Sequence, residues 1–278
     1  MKLAVRMVLA GCISWGSGMA NGQVGITAPV ESTPAPAQTP AATSASAVVP
    51  PVSMTVERAK QIAGMEAKLA DWPGLERYQA DNAALAPVTA AGEQRVVFYG
   101  DSITDAWGRL PNTGEFFPGK PYVNRGISGQ TTPQMVVRFR QDVIDLHPAA
   151  VLILAGTNDV AGNTGPMTPQ MTEDNFRSMI DLAKANGIRV IVASILPAAD
   201  YPWKPGLAPS PKIRALNDWL KRYCVNHSVT YLDYYSAMVG ADGGMKLGIS
   251  FDGVHPNAQG YAIMTPLAQA AIDKTLGE

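Results

Sequence analysis

Three residue types that together perform nucleophilic chemistry occur at Ser102, Asp252 and His255. A serine hydroxyl is a weak nucleophile, so it needs a base to take its proton and an acid to orient that base. His255 suits the role of base. Asp252 suits the role of acid, because a loop of three residues can hold its carboxylate beside the imidazole. This set predicts attack of the Ser102 hydroxyl on a carbonyl carbon.

An attack of this kind places negative charge on the carbonyl oxygen, and hydrogen-bond donors must stabilise that charge. The sequence offers three candidate donors: the backbone N–H of Ser102, the backbone N–H of Gly129 and the side-chain amide of Asn158. A glycine fits this role because a substrate must approach its backbone closely.

The candidate residues follow segments that have the composition of buried strands. Apolar runs rich in β-branched residues predict strands at 95–99, 121–124, 150–155, 188–195 and 228–233. Helical spacing predicts helices at 133–146, 173–186, 213–225 and 258–276, and Pro266 is expected to bend or interrupt the last one. Strands that alternate with helices predict a five-stranded parallel sheet within a three-layer α/β/α sandwich. The candidate residues should then meet at the carboxyl edge of the sheet, where ligands bind.

Four motifs resemble those of the SGNH hydrolase superfamily, the GDSL-type esterases and lipases, and they occur in that family's order. They are Gly100-Asp101-Ser102-Ile103, Gly129 within NRGISG, Gly156-Thr157-Asn158-Asp159 and Asp252-Gly253-Val254-His255-Pro256. Ile103 stands where the family's name has leucine. The resemblance covers residues 95–270 and implies a flavodoxin-like fold that hydrolyses esters or thioesters without a metal. It assigns Ser102 as nucleophile and oxyanion donor, Gly129 and Asn158 as further donors, and Asp252 and His255 as the acid–base pair.

Other classes of protein fit the sequence less well. The GxSxG elbow of the α/β-hydrolase fold does not occur in the chain. A single DxxH motif supplies two ligands where zinc needs at least three, so no metal or other cofactor is expected. The net charge of −1 gives no reason to expect a nucleic-acid partner. Cys224 lies in an apolar-patterned segment and is expected to be a buried thiol.

The first 20 residues combine Lys2 and Arg6 with an apolar stretch and predict an export signal. Cleavage is expected after Ala20, with an alternative before Cys12, since residues 9–12 (LAGC) resemble a lipoprotein box that would give Cys12 a lipid anchor. The protein is therefore expected to be periplasmic or secreted, and membrane-tethered only through that anchor.

The composition of the chain changes twice after this signal. Residues 21–53 are rich in Pro, Ala, Ser and Thr and predict a disordered spacer. Residues 54–278 predict the hydrolase domain, with a helical extension at 54–90 in which Met65, Leu69 and Leu75 are expected to pack against the domain.

The loop of residues 196–212 carries Tyr201 and Trp203 among prolines, and both are predicted to contact the substrate. Their rings would stack on a sugar or line an acyl pocket; alternatively, Trp203 pins the loop to the domain. Trp107 is expected to be a packing residue. The predicted substrates are short-acyl, chiefly acetyl, esters of carbohydrates, cell-envelope components or small molecules. A lysophospholipase or thioesterase is one alternative, and a non-catalytic glycan-binding domain is another.

Overall fold

The computed structural model describes residues 55–88 and 94–277. The predicted export signal, its two cleavage sites and the spacer lie outside these residues. The described chain forms nine α-helices and five strands. The helices are α1 (Val56–Ala70), α2 (Gln79–Ala84), α3 (Ser102–Ala106), α4 (Thr132–Asp142), α5 (Thr157–Ala161), α6 (Pro169–Ala185), α7 (Ser210–Asn226), α8 (Tyr234–Met238) and α9 (Ala258–Leu276). The strands are β1 (Val96–Gly100), β2 (Tyr122–Gly126), β3 (Ala150–Leu154), β4 (Arg189–Ala193) and β5 (Thr230–Leu232).

The five strands form one parallel sheet in the order β2-β1-β3-β4-β5. Alternate residues of each strand enter different hydrophobic clusters. Val97 and Tyr99 of β1 pack with residues of α4, α6 and α7, whereas Val96 and Phe98 pack with residues of α8 and α9. Both faces of the sheet are therefore covered, which explains why the central strands β1 and β3 carry no charged residue and are almost entirely apolar. The three-layer α/β/α sandwich predicted from the sequence is confirmed.

Most element positions agree with the sequence expectations to within a few residues, and the last helix begins and ends where predicted. The predicted helix at 133–146 divides into α4 and a 3₁₀ turn at Ile144–Leu146. The short helices α3, α5 and α8 were not predicted, because five residues are too few to show an apolar period. Two packing expectations are confirmed: Trp107 and Cys224 are buried.

Two expectations about the helices were wrong. Helix α9 continues through Pro266, so the expected interruption does not occur, while the alternative expectation of a bend stays a prediction. The residues on either side of this turn, Met264 and Ala268, are buried in the core. Helix α1 forms, but Met65 and Leu69 on it are largely exposed. The part of the extension that packs on the domain comes later in the chain, where Tyr78 is fully buried.

The carboxyl edge of the sheet is packed so closely that two strands must end in glycine. A Cβ on Gly100 would lie 2.2 Å from the Thr104 hydroxyl oxygen, and a Cβ on Gly126 would lie 2.1 Å from the backbone nitrogen of Asp105. Helix α3 therefore lies directly against the ends of β1 and β2. Within residues 55–88 and 94–277, no helix is both long enough and apolar enough to cross a membrane.

Candidate active site

Ser102 is the first residue of α3 and follows directly from the end of β1. The Asp101 carboxylate caps this short helix by accepting a hydrogen bond from the Ile103 N–H at 3.0 Å. This turn leaves Ser102 half-buried, with its hydroxyl oxygen 2.9 Å from His255 Nε2. The tight turn from strand to helix thus holds the hydroxyl at the edge of the sheet, away from the core.

Asp252 and His255 face Ser102 from the loop before α9. The Asp252 carboxylate accepts from the backbone N–H of His255 at 2.8 Å and from that of Val254 at 3.0 Å. Its other oxygen lies 2.8 Å from His255 Nδ1. A carboxylate can only accept, so the neutral ring carries its proton on Nδ1, and Nε2 is left to accept from the Ser102 hydroxyl.

Hydrogen bonds also set the charge of Asp252. Its partial burial acts to raise the pKa, but the donated bonds from His255 and Val254 outweigh that effect. The pKa of Asp252 therefore lies below its usual value. The carboxylate stays ionised and can stabilise a protonated imidazole.

Gly129 and Asn158 line the same cavity of about 480 Å³ as Ser102 and His255. Gly129 has a φ of +79° and a Cβ there would meet no protein atom within 4 Å, so its backbone faces open space. Asn158 Nδ2 donates to the Gln130 carbonyl at 2.9 Å and makes a longer contact of 3.4 Å with Asp101. The firm bond fixes the amide. The second hydrogen is directed at Asp101 in a long, weak hydrogen bond, so an anion in the cavity must compete with Asp101 for it.

The loop that carries Gly129 is held from α3. The Asp105 carboxylate accepts from the Ser128 hydroxyl at 2.7 Å and from the Ser128 N–H at 3.2 Å. Arg109 donates to Asp105 and to the Tyr78 hydroxyl, and that hydroxyl donates to the Gly126 carbonyl. Asp105 therefore holds Ser128, and Tyr78 holds Gly126, on the N-terminal side of Gly129.

A chain of side-chain hydrogen bonds joins the cavity surface to Asn158. The Trp203 indole N–H donates to Asn163 Oδ1 at 3.1 Å, and Asn163 Nδ2 donates to Asn158 Oδ1 at 2.6 Å. Because Asn158 Oδ1 accepts from Asn163, the amide nitrogen of Asn158 must face Gln130 and Asp101. The chain therefore determines the orientation of the Asn158 amide.

Asp101 is an unusual neighbour for a nucleophile, since only 1% of its surface is exposed. Burial raises its pKa to about 7, and the hydrogen bond from the Ile103 N–H opposes the shift. Its carboxyl group therefore titrates near neutral pH at a position adjoining both Ser102 and Asn158.

The two aromatic residues predicted to contact substrate take different positions. Trp203 is 39% exposed and lines the cavity. The Tyr201 side chain is fully buried, so the expectation that it presents a ring to substrate was wrong. Its ring lies parallel to Trp203 with centroids 4.9 Å apart, and it supports the indole from behind. The loop needs a buried anchor, and Tyr201 fills that role.

Several residues at the site were missed by the sequence analysis. Asn163, Asp105, Gln130 and Phe251 contact the donors or line the cavity. Asn163 lies only five residues after Asn158, and this closeness in sequence gave a weak signal. Asp105 and Gln130 gave no signal in the sequence, because the residues that they contact lie 23 and 28 residues away along the chain.

Comparison with known proteins gives a family and several relatives. Residues 98–263 match the GDSL-like Lipase/Acylhydrolase family. The crystal structure of a GDSL-like lipase from Bacteroides thetaiotaomicron VPI-5482 is similar, with 45% identity and a TM-score of 0.69 over 73% of this chain and 98% of that one.

Two sequence relatives are more distant. Platelet-activating factor acetylhydrolase IB subunit alpha1 of Bos taurus is 26% identical over 185 residues, 64% of this chain and 73% of the relative. The uncharacterized lipoprotein YqeF of Bacillus subtilis (strain 168) is 31% identical over 123 residues, 38% of this chain, and this chain spans about half (50%) of that relative's length.

The family match covers both the sheet and the loops at its carboxyl edge, and the similar crystal structure has the same arrangement of strands and helices. The chain therefore belongs to the GDSL-like lipase/acylhydrolase family, within the SGNH hydrolase superfamily of ester-hydrolysing enzymes.

Proposed function

We propose that the protein is a serine esterase that hydrolyses short-acyl carboxylic esters through an acyl-enzyme on Ser102. The proposal is supported above all by two successive hydrogen-bond contacts, from the Ser102 hydroxyl to His255 Nε2 at 2.9 Å and from His255 Nδ1 to Asp252 at 2.8 Å. The hydroxyl oxygen attacks the ester carbonyl carbon while Nε2 takes its proton. The charged imidazole is stabilised by Asp252.

The oxygen that becomes negative lies among three donors in this proposal: the N–H groups of Ser102 and Gly129 and the Asn158 amide. Collapse of the tetrahedral intermediate breaks the ester bond, and the alcohol leaves with the proton from His255. Water then attacks the acyl carbon while His255 takes one of its protons. Collapse of this second intermediate breaks the bond between the acyl carbon and the Ser102 oxygen, the acid leaves, and the proton from His255 restores the Ser102 hydroxyl. Apart from the ester and one water molecule, these steps need no further reactant to balance.

The cavity offers an apolar surface for an acyl group, and the name of one relative supports the proposal that this group is short. The apolar side of the cavity is formed by Ala106, Leu110, Phe251 and Pro256, within a volume of about 480 Å³. The bovine relative is named an acetylhydrolase. We propose esters of small molecules or carbohydrates as substrates.

The test is hydrolysis of 4-nitrophenyl esters with two, four and eight acyl carbons. Wild-type protein should prefer the acetyl ester and should be labelled at Ser102 by a fluorophosphonate. Ser102→Ala and His255→Ala should each lower kcat by about four orders of magnitude, and Asn158→Ala by about 100-fold, as expected for loss of one oxyanion donor. Wild-type turnover equal to that of Ser102→Ala would instead favour a non-catalytic binding domain.

We also propose that the protein is exported, with or without a lipid on Cys12. The N-terminal sequence and the named Bacillus lipoprotein support this. The mass of the mature protein tests it, because cleavage after Ala20 and lipidation at Cys12 give different masses, and an unprocessed chain in the cytoplasm would refute it.

A further inference from the structure

A second cavity adjoins the one that contains Ser102. It has a volume of about 610 Å³ and shares Ser128, Gly129, Asn163 and Trp203 with the first. The two cavities therefore form one continuous cleft that runs past the Gly129 loop. Both volumes fall within the range of about 300–1,000 Å³ that is usual for small-molecule sites.

Two tryptophans line this second cavity, and each is 39% exposed: Trp72 from the N-terminal extension and Trp203 from the loop after β4. Trp203 is held by Tyr201 behind its ring and by the bond from its N–H to Asn163. Its indole is therefore fixed while part of its surface stays open. A rigid aromatic surface loses little conformational entropy when a flat ligand stacks on it.

Trp72 is fixed by backbone contacts on both sides. Three glutamine side chains donate to carbonyls of its turn: Gln134 to Trp72, Gln130 to Pro73 and Gln141 to Leu75, each at 2.6 Å. The Asp71 carboxylate closes the turn by accepting from the N–H groups of Leu75 and Glu76. Hydrogen bonds therefore hold the backbone of this turn in place along one side of the cleft. Trp72 lies outside the residues that match the family.

The two ends of the cleft differ in chemistry. Beside Ser102 the surface is apolar, formed by Leu110 and Phe251 among others. The second cavity adds amide and hydroxyl groups from Gln134, Asn163 and Thr164. The amide nitrogens of Gln134 and Asn163 each use one of their two hydrogens within the described residues, so a second remains for a ligand.

We propose that the second cavity is a subsite for sugar rings in the alcohol half of the ester, with Trp72 and Trp203 as stacking platforms. This rests on the proposed esterase function. A carbohydrate ester has one apolar half, the acyl group, and one half that combines flat apolar ring faces with hydroxyl groups. The apolar end of the cleft fits the first half. Indole faces together with unused amide hydrogens fit the second.

The experiment compares wild type, Trp72→Ala, Trp72→Phe and Trp219→Ala on 4-nitrophenyl acetate and on O-acetylated xylose, xylobiose and xylotetraose. Trp219 is the matched control, because its ring stacks on Tyr223 of α7, outside the residues that line the cleft. Trp72→Ala should raise KM about five-fold for the acetylated tetraose, as expected from loss of one aromatic contact, and leave 4-nitrophenyl acetate unchanged. Trp72→Phe should keep most of the affinity, and Trp219→Ala should behave as wild type.

Equal KM changes for the small ester and the tetraose in Trp72→Ala would overturn the proposal. A change in the ratio of kcat/KM for 4-nitrophenyl esters of two and eight acyl carbons in that variant would also overturn it, because the cavity would then hold the acyl group. Binding of unacetylated xylotetraose to Ser102→Ala, measured by tryptophan fluorescence, separates the two proposals: the subsite predicts saturable binding that Trp72→Ala weakens, even if no ester is hydrolysed. Absence of such binding would count against the subsite alone.

Discussion

At the scale of single residues, the site depends on how the Asn158 amide is oriented. Asn158 is buried and its oxygen accepts from Asn163, so its nitrogen faces Gln130 and Asp101 at the edge of the cavity. Asn163 itself is exposed and touches no reacting atom in the proposed mechanism. It is therefore a positioning residue, which acts through Asn158.

Asn163→Ala should lower kcat by about 3- to 10-fold, the value of one hydrogen bond, with little change in KM. The physical reason is that the unanchored Asn158 amide samples orientations that do not stabilise the anion. Steady-state kinetics on 4-nitrophenyl acetate measures this effect. In an Asn158→Ala background the same change should have no further effect, because the two residues act as one unit. Additive losses in the double variant would show that Asn163 acts by another route.

The buried Asp101 carboxyl makes stability depend on pH. Its pKa rises from an ordinary 3.8 to about 7 in the folded protein, chiefly because of burial. Below pH 3.8 both folded and unfolded states hold the proton, and between the two pKa values only the folded state does. Between these two pKa values unfolding therefore releases a proton. The contribution of Asp101 to the free energy of unfolding is complete at low pH and is lost as pH rises through 7.

Asp101→Asn should remove this dependence, since the amide is neutral at every pH. The stability of the variant relative to wild type should rise between pH 4.5 and 8, with a slope of at most about 1.4 kcal/mol per pH unit. Urea unfolding at pH 4.5, 6 and 8 measures the difference. A difference that is independent of pH would mean that Asp101 is already charged in the folded protein.

At the scale of elements, the site is set by the close packing of α3 against the ends of β1 and β2. Ser102 begins this helix, and Asp105 and Arg109, which fix the Gly129 loop, lie on it or just after it. The position of α3 therefore determines where the nucleophile lies and where one side of the anion site lies. Gly100 and Gly126 permit that position.

Gly126→Ala should therefore destabilise the protein by about 3 kcal/mol, the upper end of the usual cost of overpacking, because the new methyl group would lie against the Asp105 backbone. It should also lower kcat, since α3 must move. Thermal unfolding and ester hydrolysis measure the two effects. Gly64→Ala is the control: it lies within α1 with no atom within 4 Å of the new Cβ, and it should be neutral or slightly stabilising. Equal unfolding temperatures for Gly126→Ala and wild type would refute the argument.

At the scale of the whole molecule, the N-terminal extension is joined to the domain by buried contacts. Among the described residues the buried hydrophobic core runs from Tyr78 to Leu276, and the Tyr78 hydroxyl reaches the end of β2. The turn at residues 71–76 is held by three glutamines. The boundary of the hydrolase domain near residue 54, expected from the sequence, stays a prediction.

Two truncations test that boundary. A protein that begins at Met54 should unfold at the same temperature as the full chain and keep its kcat/KM, because the described core lies within residues 78–276. A protein that begins at Gln94 should unfold at a lower temperature, since it loses buried Tyr78 and the glutamine contacts. A Met54 protein that is inactive or less stable would place essential contacts upstream.

The sequence by itself determined the fold class, the order along the chain of the strands and the longer helices, and the motifs that mark the family. These depend on local features that a sequence displays directly: apolar strands of about five residues, helical spacing, and polar residues placed just after strands. The topology of a parallel sheet then brings Ser102, Asn158 and His255 to one edge, because every strand ends there.

Tertiary structure alone decided which side chains support these residues. Tyr201 lies beneath Trp203, Asn163 orients Asn158, and Trp72 reaches the cleft beside Gly129. Each of these depends on how side chains fill space between segments that are distant in sequence, as between Trp72 and Gln134, 62 residues apart. A periodic pattern reports which face of an element is buried, but close packing selects the neighbour that each side chain meets.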